Sequence, residues 1–489
     1  MRLSELVSCL PFYDMKGPTS DPDIQAISHH HKNVKKGTLF IAMKGEHRDG
    51  KDFIQQAVLN GAAAVICDQE MTLSIPVVQV RNPRHALAQI VNLFYGYPSF
   101  KMNIIGVTGT NGKTTVSHMI QSIIETAGEH TGVIGTLYMK QGTESKVAVN
   151  TTPDSLLLQQ TLCGFLEKKV TTSIIEVSSH GLAQGRLFGC DIDIAVFTNL
   201  TQDHLDYHGS MDHYRWSKSL LFSQLGHQHY NGLPKFAIVN DDDPFSDMVR
   251  QATSAHIISY GLHDRSDVYA SNIRYGRHST EFTAHTPVES KTITLPVVGI
   301  FNVYNALASI AATFARRIPL TIAANGLEQM QSVPGRFEIV EAEQPYTIIV
   351  DYAHTPDSLE NVLQAIVKMK AARTFVVVGC GGDRDRSKRP LMAKVACGYA
   401  TDVIFTSDNP RSESPLEIIR DMEDGVTGQT YTVIPDRKEA IAYAISQAAE
   451  DDIILIAGKG HEKVQIIGET LIPFDDKQVA YELVKGSTS

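Results

Sequence analysis

No apolar run in this 489-residue chain reaches the ~18 residues needed to cross a bilayer. The opening stretch MRLSELVSCLPFYDMKG has no long apolar core of the signal-peptide kind, so the expected location is the cytoplasm, with no membrane partner. Cysteine is scarce. The six thiols, Cys9, Cys67, Cys163, Cys190, Cys380 and Cys397, form no CxxC pair, which reads as scattered reduced cysteines and excludes a small disulfide scaffold. Positive charge is also short: 44 Lys and Arg against 54 Asp and Glu leave a formal net charge of −10. A nucleic-acid footprint would need a basic face, so nucleic acid is not an expected partner. No block of like charges, internal repeat or low-complexity tract stands out.

What is present is an ordinary globular balance, 43% hydrophobic and 20% charged. At a prior of ~150 residues per domain the length suggests about three. Strand-like runs alternate with helical stretches, the α/β pattern. The expected divisions are 1–98, 99–331 and 332–489. The first has short strands at Thr38 to Ala42 and Ala63 to Cys67, with helices at Phe53 to Asn60 and His85 to Tyr95. The second opens with the strand Asn103 to Thr108 and continues with strands at Ser173 to Val177, Ile194 to Thr198 and Phe236 to Asn240. The third carries strands at Thr347 to Asp351, Thr374 to Gly379, Asp402 to Thr406 and Asp452 to Ala457, the alternation of a Rossmann-like domain.

The strongest local signal is TGTNGKTT at Thr108 to Thr115, between a strand and a helix whose apolar face is Val116, Met119, Ile120, Ile123, Ile124 and Ala127. A glycine loop at a helix N-terminus aims backbone N–H groups and the positive end of the dipole at an anion. This predicts a P-loop formed by Gly109, Thr110, Asn111, Gly112, Lys113, Thr114 and Thr115. Lys113 is expected on the β/γ-phosphates and the Thr114 hydroxyl on Mg²⁺. The strict GxxxxGK[ST] pattern places a glycine where this chain has Val107, so the loop is a variant.

Two further strands end in polar clusters, EVSSHG at Glu176 to Gly181 and TNLTQDHLD at Thr198 to Asp206. Ligands in open α/β sheets sit beyond the carboxyl ends of strands, so Glu176 and His204 are expected at the phosphate crevice, where a carboxylate and an imidazole suit a divalent cation. In the third domain every strong strand ends in glycines and charges: DYAH (Asp351–His354), GCGGDRDR (Gly379–Arg386), SDNPRS (Ser407–Ser412) and AGKGHE (Ala457–Glu462). Arg384 and Arg411 offer planar forks for carboxylates, and Asp408, Asn409 and Glu462 offer acceptors for an amino group. Together they describe a pocket for a zwitterionic amino acid.

With TGTNGKTT, EVSSHGL, NLTQDHLDYHG, the Tyr214-Arg-Trp-Ser-Lys218 run before Leu221 and Phe222, and GIFNVYN at Gly299 to Asn305 in order, the chain resembles the Mur ligase family over nearly its whole length. The resemblance is weakest before residue 40 and between 245 and 295. It implies an ATP- and Mg²⁺-dependent ligase of peptidoglycan precursor synthesis that activates a carboxylate as an acyl phosphate. It implies that Lys218 is carbamylated and holds a second Mg²⁺, with Lys113, Glu176, His204 and Lys218 as the catalytic group and Thr114, Glu176, His204 and Lys218 as metal ligands. Asn302, Arg336 and Asp351 are then expected beside ATP. The intact DNPR at Asp408, Asn409, Pro410 and Arg411 is the mark of the family's diaminopimelate-adding form. The second carboxylate of diaminopimelate gives Arg411 something to clamp that lysine lacks. The same carry-over puts Arg384, Gly458 and Glu462 on diaminopimelate, and Lys388, Arg389 and Asp351 near the interdomain cleft.

The expected co-substrate is UDP-N-acetylmuramoyl-L-alanyl-D-glutamate. The resemblance implies that it is held by Asn150, Thr151 and Thr152, by Ser178, Gln184 and Arg186, and in the first domain by His31, Glu46, His47 and Arg48. Where the family usually shows Asp-Ser-Arg this chain reads His30-His31-Lys32. The run His29 to His31 is read as a solvated loop, since consecutive residues do not easily face one ion. The expected oligomeric state is a monomer. The alternatives are a lysine-adding or otherwise diverged ligase of the family and a nucleotide-binding paralogue without catalytic power. Folylpolyglutamate synthetase shares the fold class, but DNPR points away from it.

Overall fold

The computed structural model describes residues 1–45, 48–229 and 232–487. It is α/β and divides into two compact units. One comprises Met1–Gly106, Glu129–Ala195 and Ser223–Lys235; the other comprises Val107–Gly128, Val196–Phe222 and Phe236–Ser489.

In the first unit a five-stranded sheet has the order Asp14–Lys16, Val77–Gln79, Ala62–Cys67, Thr38–Ile41, Ala26–Ser28. All neighbours are parallel except the outer pair Asp14–Lys16 and Val77–Gln79. Strands buried on both faces need apolar residues at successive positions, and Thr38–Ile41 is buried throughout. The helices Leu3–Val7 and Pro83–Phe94 cover one face through Leu6, Leu87, Ile90 and Val91. Asn82 starts the second helix by accepting from the N–H groups of Arg84 and His85, with Pro83 in the first turn. The same unit holds the parallel pair Thr131–Ile134 and Thr172–Glu176, and the hairpin Tyr138–Gln141/Glu144–Val147.

In the second unit the strand Phe236–Asn240 pairs in parallel with His256–Gly261, and a meander follows through Val268–Tyr275, Thr280–His285 and Ser290–Leu295. The helix Lys113–Thr126 begins at the end of the strand Asn103–Thr108 and stops where expected, with Gly128 at φ +86°. The C-terminal part of the unit is built on a doubly wound six-stranded sheet, ordered Glu338–Val340, Thr347–Asp351, Ile453–Ala457, Thr374–Val378, Asp402–Phe405, Thr432–Val433. Only the first strand is antiparallel. The helices Pro356–Lys368, Lys388–Tyr399 and Pro415–Glu423 bury one face and Arg437–Gln447 and Asp476–Ser487 the other. Thr355 opens the first of these with a capping box to Ser358.

A fully buried ion pair sits at the loop ends of this sheet. Arg437 and Asp476, both 0% exposed, form a bidentate pair at 2.7 Å, and Arg437 also donates to the Ala457 and Ser407 carbonyls. Those carbonyls are the roots of the loops after Ile453–Ala457 and Asp402–Phe405. A buried ion pair of this kind is weak evidence for stability, but it fixes geometry because neither partner tolerates loss of the other.

Among the described residues no helix is long and apolar enough to cross a membrane.

Candidate active site

The loop Thr108 to Lys113 folds as a cradle because two glycines take conformations that side chains resist. Gly109 lies at φ +151° and Gly112 at φ +85°. A Cβ on Gly109 would fall 1.8 Å from Thr198 Oγ1. The loop is tied down by Asn199, whose side chain accepts from the Asn111 N–H at 2.9 Å, and by Thr198, which donates to the Asn111 carbonyl at 2.6 Å. Lys113 folds over it and donates to the Gly109 and Thr110 carbonyls, both at 2.8 Å.

Lys218, 2% exposed on the helix Met211–Ser223, donates to the same Gly109 carbonyl at 2.7 Å. Burial first, then the neighbouring Lys113 charge, holds its amine well below the usual lysine range. Nothing in the local sequence around Lys218 signals this burial.

His204 adopts a left-handed backbone (φ +55°), and its Nε2 lies 3.4 Å from Asp203 Oδ2. His354, at the end of the strand Thr347–Asp351, reaches the same oxygen at 3.7 Å. Burial pushes the Asp203 carboxyl up, but the His354 contact and the charges of His204, His354 and Lys388 outweigh it and hold Asp203 ionised. Further links join the P-loop region to the C-terminal sheet: Asn111 donates to Asp357 at 2.8 Å, and Arg336 to the Thr114 hydroxyl at 3.4 Å. Arg336 also stacks over the Tyr352 ring at 4.6 Å.

Beside them opens a cavity of about 350 Å³, lined by Asn111, Gly112, Thr114, Thr115, Asn302, Arg336 and Asp351 among others. It gathers expected ATP contacts from four separate stretches of chain. Asp351 is buried and accepts from the Phe337 N–H at 2.6 Å, which fixes the turn that aims Arg336.

The polar loops of the C-terminal sheet converge as the strand ends suggested. Asn409 Nδ2 donates to Glu462 Oε2 at 2.7 Å. Lys459, 0% exposed, donates to Asn409 Oδ1, Glu462 Oε2 and the Val464 carbonyl at 2.9, 3.1 and 2.7 Å. Arg411 donates to the Gly382 carbonyl at 2.7 Å, and burial and then the Arg384 charge draw its guanidinium pKa down. Two crowded guanidinium groups present a site that an anion would relieve. Gly458, at φ +111°, lets the chain pass Asp408, whose Oδ2 would lie 2.6 Å from an added Cβ. Pro410 closes the turn, its carbonyl accepting from the Glu413 N–H.

The guanidinium of Arg389 is 0% exposed, enclosed by Glu413, Asp421 and the Gly381 carbonyl. Its partners lie 24 and 32 residues away, so no local pattern signals the burial.

In the first unit the expected co-substrate residues also gather. Thr152 donates to the Glu176 carbonyl at 2.8 Å and accepts from the Ser178 N–H at 2.9 Å; Arg186 donates to the Thr152 carbonyl at 2.6 Å and to Gln184 Oε1. The Glu176 carboxylate accepts from the Thr136 N–H and hydroxyl, and that hydroxyl meets Thr151 at 3.1 Å. Asn150 stands exposed beside them. The histidine run is a short turn, not a strand. His30 is exposed and its Nδ1 accepts from the Lys32 N–H, while the half-buried His31 stacks flat on Phe53 at 4.3 Å. His29 pairs with Asp154 at 3.5 Å. Arg48 is exposed; Glu46 and His47 lie outside the described residues.

Comparison with known proteins gives three family matches along the chain. The Mur ligase family catalytic domain matches residues 23–95, the Mur ligase middle domain 107–313, and the Mur ligase glutamate ligase domain 335–460. The chain is 48% identical over 486 residues to UDP-N-acetylmuramoyl-L-alanyl-D-glutamate--2,6-diaminopimelate ligase of Bacillus cereus, covering 99% of each chain. It is 50% identical over 488 residues to the ligase of the same name from Geobacillus thermodenitrificans, again covering 99% of both. A solved structure of a UDP-N-acetylmuramoyl-L-alanyl-D-glutamate--2,6-diaminopimelate ligase superposes with a TM-score of 0.69 at 32% identity, covering 100% of both chains.

Proposed function

The chain belongs to the Mur ligase family, and we propose for its sites the roles that make it the family's diaminopimelate-adding enzyme. It is an ATP-dependent ligase that joins 2,6-diaminopimelate to UDP-N-acetylmuramoyl-L-alanyl-D-glutamate in peptidoglycan precursor synthesis. The single observation that carries the amine assignment is the convergence of Arg384 and Arg411 beside the Asn409–Glu462 pair. Two cations brought side by side around Gly381 suit a substrate with a carboxylate far from its reacting amine.

ATP binds on the cradle Gly109 to Thr115, its phosphates received by backbone N–H groups and Lys113, with Asn302, Arg336 and Asp351 lining the adjoining cavity. The glutamate carboxylate attacks the γ-phosphate to give an acyl phosphate and ADP. The diaminopimelate amine then attacks the acyl carbon, and phosphate leaves. Lys113 offsets charge on the transferring group. Lys218 is the residue proposed to carry the carbamate: its amine is held below the usual lysine range by burial and the Lys113 charge, and carbamylation would place an anion beside that cation. That change fits a Mg²⁺ ion held by the carbamate, the Thr114 hydroxyl and the His204 imidazole. When bound, the ion supplies charge neutralisation at the phosphates. Asp203 orients His204 from behind.

Thr151, Thr152, Ser178, Gln184 and Arg186, with Asn150 and the stacked His31, are assigned to the muramoyl dipeptide. The divisions 1–98, 99–331 and 332–489 are assigned as co-substrate, nucleotide and amine domains of a monomer.

The test traps the intermediate. With ATP and the UDP-muramoyl dipeptide but no amino acid, hydroxylamine is expected to yield the hydroxamate of the glutamate carboxylate. Phosphate release without any hydroxamate would contradict the acyl phosphate.

A further inference from the structure

We propose that Arg389 is a positioning residue for recognition of the amine substrate: its buried guanidinium locks the loop bearing Arg384 to the loop bearing Arg411 and so sets the spacing of those two cations. The proposal rests on the diaminopimelate reading of the site.

Arg389 lies in the first turn of the helix Lys388–Tyr399, directly after the Gly379–Arg386 loop. Its side chain is 0% exposed and makes a fork onto one carboxylate: Nη1 to Glu413 Oε2 at 2.9 Å and Nη2 to Glu413 Oε1 at 2.7 Å. Nη1 also holds Asp421 Oδ2 at 2.7 Å, and Nη2 reaches the Gly381 carbonyl at 3.3 Å. Glu413 stands two residues after Arg411, and its Oε1 accepts from the Asp383 N–H at 2.6 Å, one residue before Arg384. Asp383 in turn accepts from the Ser412 N–H and hydroxyl. One guanidinium–carboxylate fork therefore joins both loops at points one and two residues from the proposed clamp.

The backbone needs such a lock. Asp383 and Arg411 both take left-handed conformations, at φ +53° and +52°. Non-glycine residues hold this conformation at a cost and keep it only where the surroundings enforce it. Without Arg389 the nearest relaxation of either turn moves Arg384 or Arg411, and the distance between their guanidinium groups is what a distal carboxylate reads. The direct partners of Arg389, namely Glu413, Asp421 and the Gly381 carbonyl, do not line the ATP cavity, so the first effect of losing it falls on the amine loops.

The experiment uses the full chain carrying Arg389→Lys, Arg389→Met or Glu413→Gln, with KM and kcat measured for ATP, the UDP-muramoyl dipeptide and meso-diaminopimelate, and a melting curve for each variant. Lysine keeps the charge but not the fork, so Arg389→Lys is expected to raise KM for diaminopimelate ~10–100-fold, the loss of one to two charged hydrogen bonds. KM for ATP and the dipeptide should stay within about twofold, and inhibition by L-lysine, which lacks the distal carboxylate, should change little, so that discrimination narrows. Glu413→Gln keeps shape and is expected to act in the same direction but less. It remains informative where Arg389→Met does not fold. A lowered melting temperature with the three KM values moving together, or a diaminopimelate KM unchanged in both folded variants, would overturn the positioning role. Wild-type enzyme that shows no response to diaminopimelate would instead sink the underlying reading, and the role with it.

Discussion

Gly109→Ala is the sharpest probe of the nucleotide cradle. The added methyl group falls 1.8 Å from Thr198 Oγ1 and 3.0 Å from the Asn199 backbone nitrogen and oxygen. Rotating Thr198 away is not free, because its hydroxyl donates to the Asn111 carbonyl at 2.6 Å and holds the loop closed. The substitution therefore combines a strained φ of about 1–3 kcal/mol with overpacking of about 1–3 kcal/mol and one lost hydrogen bond of about 1 kcal/mol. If the loop keeps its shape the fold carries about 3–7 kcal/mol of that strain; if the loop relaxes, ATP affinity falls instead, by ~100-fold or more at 1.4 kcal/mol per decade. Calorimetric titration with ADP beside a melting curve reads both channels. A variant that binds ADP within threefold of wild type and melts within a degree of it would refute the cradle geometry.

Arg437→Met leaves Asp476 buried without its partner and is expected to destabilise the C-terminal sheet by about 3–5 kcal/mol, whereas the double change Arg437→Met, Asp476→Leu should recover most of that loss. Urea unfolding followed by hydrogen exchange in this sheet reads the cycle, and single and double variants of equal stability would contradict it. Asp193 gives a pH signature in the other unit. Burial, against the bond from the Ile104 N–H and with the Asp191 charge nearby, raises its carboxyl to about 6. Between its ordinary value near 4 and about 6 the folded state holds a proton that the unfolded state has lost, so stability should fall as pH rises through that window, by about 1–3 kcal/mol. Asp193→Asn keeps the acceptor for Ile104 and should flatten the fall; melting curves from pH 4 to 7 with the same slope in both proteins would count against the buried charge.

Much of this was legible in the sequence, and the reason is local. Buried parallel strands read as continuous apolar runs, so Asn103–Thr108, Phe236–Asn240 and Thr347–Asp351 fall where the pattern puts them. The P-loop and the DNPR turn are likewise contiguous. The antiparallel hairpins at Tyr138–Val147 and Val464–Pro473 leave no signal in the sequence, because their strands are half or fully exposed and carry no long apolar run. The buried cations Lys218, Arg389, Arg437 and Lys459 were the main gap. A charged residue on a helix or in a polar loop reads as solvated, and what buries it here is a partner brought up by the fold: Asp476 lies 39 residues from Arg437, Asn409 50 residues from Lys459. His354 meeting Asp203 across 151 residues of sequence is of the same kind. The His29 to His31 run folds as a short turn, and the flat stacking of His31 on Phe53 depends on a residue 22 positions on.

The central claim is that the Arg384–Arg411 pocket selects an amino acid with a distal carboxylate. A single competition measures it: ATP, the UDP-muramoyl dipeptide and equal concentrations of meso-diaminopimelate and L-lysine, with the ligated products weighed by mass spectrometry at low conversion. The account predicts the diaminopimelate adduct in large excess, and an excess that collapses in Arg411→Met. Comparable amounts of the two adducts, or a dominant lysine adduct, would contradict it.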